Sequence, residues 1–366
     1  MGAIRVGIIG QGRSGRDIHG VYLATDERYK IVAVVDALAD RRERAVKEYG
    51  CEAHADYREL LARKDIDLVV NASFSHHHVE LTKEALKAGF NVLCEKPFAR
   101  RVADVDDLIA TAAAAGKTLA VFQQARYAPY FKTVQQVIES GVLGRILQIS
   151  ISFNGHNRRW DWQTLTEFDG GNLLNTGPHP MDQALTLFGE GDPEVWCKMD
   201  NTEGFSGDAE NYVKLILTGK DKPLIDIEIS SCCAYPEGLY QVYGSLGGLK
   251  ASGSEATWRY LDPAGPARPA LQREPLAKED GTPAYCGESV KWLTGNWPEA
   301  KEGDAAAATD YAPAKPDTNM TGEFYSMLYK TLVDGAPLEI TPQQIRKQMA
   351  VVEECRRQNP NIYPNG

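Results

Sequence analysis

An apolar run, Ile4 to Ile9, breaks into three glycines, Gly10, Gly12 and Gly15, spaced G-x-G-x-x-G. That spacing leaves few folds open. The first glycine lets a strand turn sharply. The second lets backbone N–H groups approach an anion. The third lets the following helix pack close, its positive end facing that anion. With 33 glycines in 366 residues the spacing alone is a weak signal, but a strand-like run precedes it and a helix-like run, Ser14–Ala24, follows. A second apolar run, Ile31–Val35, ends in Asp36, about 20 residues past the glycines, where a carboxylate accepts ribose hydroxyls. The stretch reads as a dinucleotide site. Asp36 favours NAD over NADP because it would repel a 2′-phosphate. Arg41 and Arg42 follow soon after and could soften this preference, but on the next expected helix they are read as lying on a solvated face.

The first third of the chain alternates strand and helix. Ile4–Ile9, Ile31–Val35, Asp67–Ala72, Asn91–Glu95 and Thr118–Phe122 are continuous apolar runs, as suits strands buried on both faces of a parallel sheet. Helical stretches lie between them, with Gly89 and Gly116 where C-caps belong. This predicts a doubly wound Rossmann domain over residues 1–124, with its ligand at the carboxyl ends of the strands.

From residue 125 to 366 the pattern changes. Leu147, Ile149, Ile151 and Phe153 alternate with polar residues, as do Ile225, Ile227 and Ile229. That period marks a sheet with one covered and one polar face. The second domain is expected to be α+β, with an open, mainly antiparallel sheet. Residues 262–317 read as a long irregular segment with a short helix near Ser289–Leu293.

A net charge of −10 argues against nucleic acid or an anionic membrane surface as a partner. No run approaches the ~18 apolar residues of a membrane span. The chain enters a strand at once, without a signal-like segment, so a cytoplasmic location is expected. Seven cysteines without C-x-x-C spacing read as reduced thiols, and no metal site is expected.

Two later stretches carry chemistry. Glu95, Lys96 and Pro97 end the fifth strand, which places Lys96 beside the nicotinamide half of a bound dinucleotide. A lysine there can donate to a substrate hydroxyl or relay a proton. In the second stretch, Asn175 precedes His179 by four residues and Asp182 follows it by three. Asp182 is expected to accept from the imidazole and fix its tautomer. Arg158, Trp160 and Trp162, within His156–Trp162, could bind a large polyhydroxylated substrate by stacking and hydrogen bonding. Arg126 and Tyr127 at the end of the sixth strand are further substrate candidates.

Together these motifs resemble the Gfo/Idh/MocA oxidoreductases, relatives of glucose–fructose oxidoreductase and inositol dehydrogenase. Ser73-Phe-Ser-His-His-His78 and Glu139-Ser-Gly-Val-Leu-Gly144 share the resemblance, which is good over about residues 1–190. It implies cofactor contacts from Gly10, Gly12, Arg13, Ser14, Gly15, Asp36, Ser73, His78, Glu95 and Lys96. It implies hydride transfer from a hydroxyl of a sugar, glycoside or cyclic polyol to NAD. The family's trio is Lys, Asp and His; here those positions hold Lys96, Asn175 and His179. A neutral amide takes no proton, so the base role falls to His179, with Lys96 polarising the reacting oxygen. His156–Trp162 with Asn175 resembles members that oxidise glucosides, often at the C3 hydroxyl. A redox-neutral NAD-dependent glycosidase and an inositol dehydrogenase are the alternative enzymes, and a nicotinamide-binding sensor the non-enzyme. The resemblance also implies a homo-oligomer, dimer or tetramer, paired through the second sheet.

Overall fold

A computed structural model describes residues 2–288, 290–298 and 318–364. The first sheet contains β1 (Ile4–Ile9), β2 (Tyr29–Val35), β3 (Glu52–His54), β4 (Leu68–Asn71), β5 (Asn91–Cys94) and β6 (Leu119–Val121). Their order is β3-β2-β1-β4-β5-β6, and every neighbouring pair is parallel. The order reverses between β1 and β4, so a crevice opens where the chain leaves β1. Val6, Ile8, Val34, Val69, Val70 and Leu93 are wholly buried, which is why these strands read as unbroken apolar runs.

Helices cover that sheet: α1 (Arg13–Gly20, in wide π-type turns, running on through Val21–Leu23), α2 (Ala39–Tyr49), α3 (Tyr57–Leu61), α4 (His78–Lys87) and α5 (Val102–Ala115). As expected, Gly116 caps α5 in the left-handed region, at φ 60°.

The second sheet holds β7 (Ile146–Asn154), β8 (Glu194–Asp200), β9 (Tyr212–Thr218), β10 (Leu224–Ser230), β11 (Tyr240–Gly244), β12 (Gly247–Ala251), β13 (Ala256–Leu261) and β14 (Trp292–Trp297). The order is β14-β13-β12-β11-β7-β10-β9-β8. Only β7 and β10 run parallel; the other neighbours are antiparallel. Ile225, Ile227 and Ile229 face inward and are buried, as their alternation predicts. Helices α6 (Pro129–Glu139), α7 (Asn172–Asn175), α8 (Pro178–Phe188), α9 (Thr318–Asp334) and α10 (Pro342–Arg357) complete the fold.

Four strands depart from the sequence expectation. β3 is only three residues long, and β12 opens on two glycines, so neither carries a readable period. β8 buries only Cys197 and Met199 deeply. β14 lies in the segment expected to be irregular and takes Leu293 into a strand, not a helix, because it pairs antiparallel with β13. Ser289 and residues 299–317 lie outside the described residues.

The last two helices return to the first sheet. Phe324 of α9 packs edge-on against Phe122, with ring centroids 4.9 Å apart. On α10, Glu353 accepts from the Val102 N–H at 2.7 Å. Gln348 of the same helix meets Gln123 at 3.1 Å and donates to the Pro178 carbonyl at 2.5 Å. One side chain thus ties the end of β6 to the start of α8, fixing the two sides of the crevice relative to each other.

Candidate active site

The glycine loop divides its labour as the spacing predicts. Gly10 has φ +93°, and a Cβ there would lie 2.3 Å from the Ala72 carbonyl oxygen. A Cβ on Gly15 would lie 1.8 Å from the Gly10 oxygen. Both positions are closed by the protein's own backbone. Gly12 differs: the nearest atom to a Cβ there is Arg41 Nη1, at 3.6 Å. Beside it, Asp36 accepts from the Gln11 and Leu38 N–H groups at 2.8 and 2.9 Å, which holds its carboxylate at the loop. Arg13 and Ser14 stand on the first turn of α1, exposed and half-buried. Arg41 and Arg42 are not simply solvated. Arg41 Nη1 is 3.4 Å from Asp36, and Arg42 donates to the Asp36 and Ala37 carbonyls at 2.8 Å each, because α2 starts directly over the end of β2.

At the end of β5, Lys96 Nζ crosses the crevice and donates to the Asn175 carbonyl at 2.9 Å. The Lys96–Pro97 peptide is cis. Burial pushes the Lys96 ammonium below its usual range; Arg13 and Arg159 add to this, while Glu95 opposes it. Behind Lys96, Glu95 is 3% exposed. Its Oε2 accepts from the Lys96 N–H at 3.0 Å, and its Oε1 lies 3.1 Å from Nε2 of the buried His19. His19 Nδ1 is 2.7 Å from the Tyr325 hydroxyl. With Tyr325 donating to Nδ1, Nε2 carries the proton and donates to Glu95. Burial alone would raise the Glu95 carboxyl, but the His19 hydrogen bond and the neighbouring positive charges outweigh it and bring it to about 2.

Both Glu95 oxygens are therefore engaged by protein groups, His19 on one side and the Lys96 N–H on the other. His78 is likewise held by protein groups. Its ring is buried, with Nδ1 2.7 Å from the Pro97 carbonyl and Nε2 3.2 Å from the Ser73 carbonyl. It ties the turn after β4 to the turn after β5. Ser73 itself donates to Asn71 at 2.7 Å.

The far wall of the crevice is α7 and the first turn of α8. Gly171, at φ +96°, lets buried Glu210 come within 2.4 Å of where a Cβ would stand, and Glu210 accepts from the Leu173 N–H at 2.7 Å. A buried carboxylate thus caps the short helix that carries Asn175. No sequence signal marked Glu210. Pro178 opens α8 and puts His179 in its first turn. Burial, then the Lys96 charge, push the His179 imidazole down to about 3, against a weaker opposing pull from Glu95. Its Nδ1 is buried and has no hydrogen-bond partner among the described residues.

Asp182 does not supply that partner. Both its oxygens are taken by Arg126, with Nε 2.7 Å from Oδ2 and Nη2 on Oδ1. Arg126 thereby ties to α8, and it also donates to Gln344 at 3.2 Å. Tyr127 likewise donates to Glu339 at 2.8 Å and is buried. Both lie in the turn after β6, which faces the second layer of helices, so their polar ends meet protein first.

Comparison with known proteins decides the family. Residues 4–123 match the model of the oxidoreductase family with an NAD-binding Rossmann fold, and residues 131–250 match the GFO/IDH/MocA C-terminal domain. The chain belongs to the Gfo/Idh/MocA family. It is 25% identical over 351 residues to an uncharacterized oxidoreductase, YhhX, of Escherichia coli, covering 96% of this chain and 95% of that one. It is 29% identical over 262 residues to a myo-inositol 2-dehydrogenase of Thermotoga maritima, covering 69% of this chain and 77% of the relative. Among solved structures, the WlbA dehydrogenase of Bordetella pertussis, in complex with NADH and UDP-GlcNAcA, superposes with a TM-score of 0.73 at 19% identity. That match covers 98% of this chain and 96% of WlbA.

As a Gfo/Idh/MocA protein the chain is an NAD-dependent oxidoreductase, and its residues fit the cofactor. The open space over Gly12, beside the N-terminus of α1, suits a pyrophosphate, and Asp36 stands where ribose hydroxyls need an acceptor. The segment after β7 reaches over this site. Trp162 packs edge-on against Phe74, with centroids 5.0 Å apart, so it bridges the two domains. Trp160 is 83% exposed, and Arg158 is exposed too. Arg159 bonds Asp161 and Gln163, and Gln163 donates to Asn175 Oδ1 at 3.0 Å. Gln163 was not legible in the sequence, since it sits just past the aromatic segment and carries no motif. Among the described residues no group of His, Cys, Asp and Glu gathers as a metal site, and no helix is long and apolar enough to cross a membrane.

Proposed function

We propose that this protein is an NAD-dependent dehydrogenase that oxidises a secondary hydroxyl of a sugar, glycoside or related cyclic polyol. The observation that carries the reading is the Lys96–Asn175 contact at 2.9 Å across the crevice, with His179 on the following turn. It brings a cation from the cofactor domain and an imidazole from the second domain to one place. NAD, when bound, supplies the hydride acceptor at C4 of its nicotinamide.

The chain's own residues do the rest. Lys96 donates to the reacting oxygen and favours the negative charge that builds there. His179, neutral because its pKa is so far depressed, has a free nitrogen lone pair to take the hydroxyl proton. Asn175 holds Lys96 in place through its carbonyl and offers its side-chain amide to the substrate. Phe74 and Trp162 pack edge-on beside the crevice. The sugar reading is supported by the relatives: one is a myo-inositol 2-dehydrogenase, and one was solved with a nucleotide sugar.

A panel of glycosides, free sugars and inositols, incubated with NAD and followed by NADH absorbance and product mass, tests this. NADH with a product two hydrogens lighter supports it. Free sugar without net NADH would mean glycoside cleavage instead. We further propose cofactor and substrate domains dividing near residue 124, a homo-oligomer paired through the outer face of the second sheet, and a cytoplasmic setting. Exposed Trp196, Tyr243 and Trp292 on that face, and seven free thiols, support the last two.

A further inference from the structure

The chain of side chains that ends at Asn175 has only one consistent set of hydrogen-bond directions. Its far end is Arg159, whose guanidinium can only donate. Arg159 Nη2 lies on Gln163 Oε1, so the Gln163 oxygen must face the arginine. The Gln163 Nε2 then faces Asn175, 3.0 Å from Oδ1, and must donate. That leaves Asn175 with its oxygen turned away. What it presents to the crevice is Nδ2, two N–H donors and no acceptor. Nδ2 has no partner among the described residues. The backbone oxygen of Asn175 is also taken, by Lys96 Nζ at 2.9 Å.

An aspartate at this position would have done the opposite. It would accept from a substrate hydroxyl, as the family's Lys, Asp and His trio allows. Here the two carboxylates near that wall already accept from protein groups. Asp161 is spent on Arg159, with Nε 3.2 Å from Oδ1, and Glu95 is spent on His19 and the Lys96 N–H. Of the groups named, His179 alone keeps a free acceptor, and the reacting hydroxyl needs it. A neutral hydroxyl bound against Asn175 would have to place its own proton on another acceptor. A group with lone pairs and no proton would not.

Resting on the dehydrogenase reading, we infer that the substrate is a sugar acid: a pyranose or cyclic polyol whose carboxylate sits next to the Asn175 amide and Lys96, with Arg159 acting through Gln163 to hold that amide in its donor orientation. Two N–H donors and a nearby ammonium make charge-assisted hydrogen bonds to a carboxylate, about twice as strong as neutral ones.

The test compares a methyl glucoside with the matching methyl glucuronide, using NAD and the whole enzyme. The native enzyme should favour the glucuronide by at least about tenfold in kcat/KM, the ratio that one such bond of ~1.4 kcal/mol supplies. The decisive variant is Gln163→Glu. Its carboxylate can only accept, so Asn175 must turn its N–H₂ towards it and present Oδ1 to the substrate. The glucuronide preference should then fall by about tenfold or more, while NADH binding, read by fluorescence, stays native. Turnover of the neutral glucoside with equal or better efficiency, and no change of ratio in Gln163→Glu, would overturn the inference and leave the dehydrogenase reading standing. If neither these two nor the wider panel of acidic and neutral sugars yields NADH, the dehydrogenase reading fails and the inference falls with it.

Discussion

Two alanine substitutions three residues apart, Gly12→Ala and Gly15→Ala, should separate binding from folding. At Gly15 the new methyl would sit 1.8 Å from the Gly10 carbonyl oxygen and 2.8 Å from its carbon, both backbone atoms. An ordinary carbon–oxygen contact is about 3.2 Å, so α1 or the turn after β1 must move by roughly 1.4 Å, with an overpacking cost of ~1–3 kcal/mol. At Gly12 the situation is reversed. The backbone there has φ −73°, which alanine accepts, and the only near atom is the end of the Arg41 side chain at 3.6 Å. Folding stability should be unchanged or raised by ~0.4–1 kcal/mol, since alanine narrows the unfolded ensemble. The methyl would, however, stand in the space assigned to the pyrophosphate. NADH affinity, measured by fluorescence titration, should therefore fall at least tenfold in Gly12→Ala with no loss of thermal stability. In Gly15→Ala both should fall together. Native NADH affinity in Gly12→Ala would refute the placement of the pyrophosphate over this glycine. A destabilised Gly12→Ala would refute the claim that the space belongs to the ligand.

Further predictions concern the crevice and its supports. His179→Ala should lower kcat by roughly 10²–10⁴-fold with NADH binding intact, the range for losing a general base; a loss under tenfold would remove His179 from that role. The pH profile of kcat/KM should show no acid limb near 6.5, because His179 is depressed to about 3, and an alkaline limb below 10.5, because the Lys96 ammonium is depressed and its deprotonation removes the donor. The same depression has a stability consequence: between pH 6.5 and about 3 the unfolded chain binds a proton at His179 that the fold refuses, so stability falls as pH falls through that window, and His179→Gln should flatten the slope in denaturant titrations. Arg126→Met should destabilise the fold by ~3–5 kcal/mol by leaving buried Asp182 unpaired, and the double variant Arg126→Met, Asp182→Leu should recover most of that in the same melt.

The division between what the sequence shows and what it hides follows from the range of the interactions. Glycine spacing, strand runs and the Glu95-Lys96-Pro97 triplet are local patterns, so the Rossmann sheet, its order of elements and the position of Lys96 at a strand end are all readable. β12 and β14 are held by pairing with β13, a partner distant in sequence from β14, and their own residues carry little period. The partners of polar side chains are hidden for the same reason. Three residues after His179, Asp182 looks like the imidazole's acceptor, yet Arg126, 56 residues upstream, holds it with two hydrogen bonds. A charged bidentate pair outweighs a single bond to a neutral ring, and only the fold brings Arg126 there.

Glu95 shows how far this reaches into the chemistry. From sequence it is one more polar residue at the ligand edge of a parallel sheet, and a ligand contact is the natural reading. In the fold it is the end of a buried chain, Tyr325 to His19 to Glu95, that starts on α9, far away in sequence. Its charge is kept by those contacts, and it stands directly behind Lys96, raising a pKa that burial and two arginines lower. In Glu95→Gln the amide retains one acceptor for two donors, so either the His19 N–H or the Lys96 N–H loses its partner, at a cost of about 1–3 kcal/mol. The lost charge should move the alkaline limb of kcat/KM further down in pH. His19→Gln, which can still donate to Glu95, should keep that limb near its native position. A limb that does not move in Glu95→Gln would mean that Lys96 does not feel the charge behind it, and that its protonation is governed by the crevice alone.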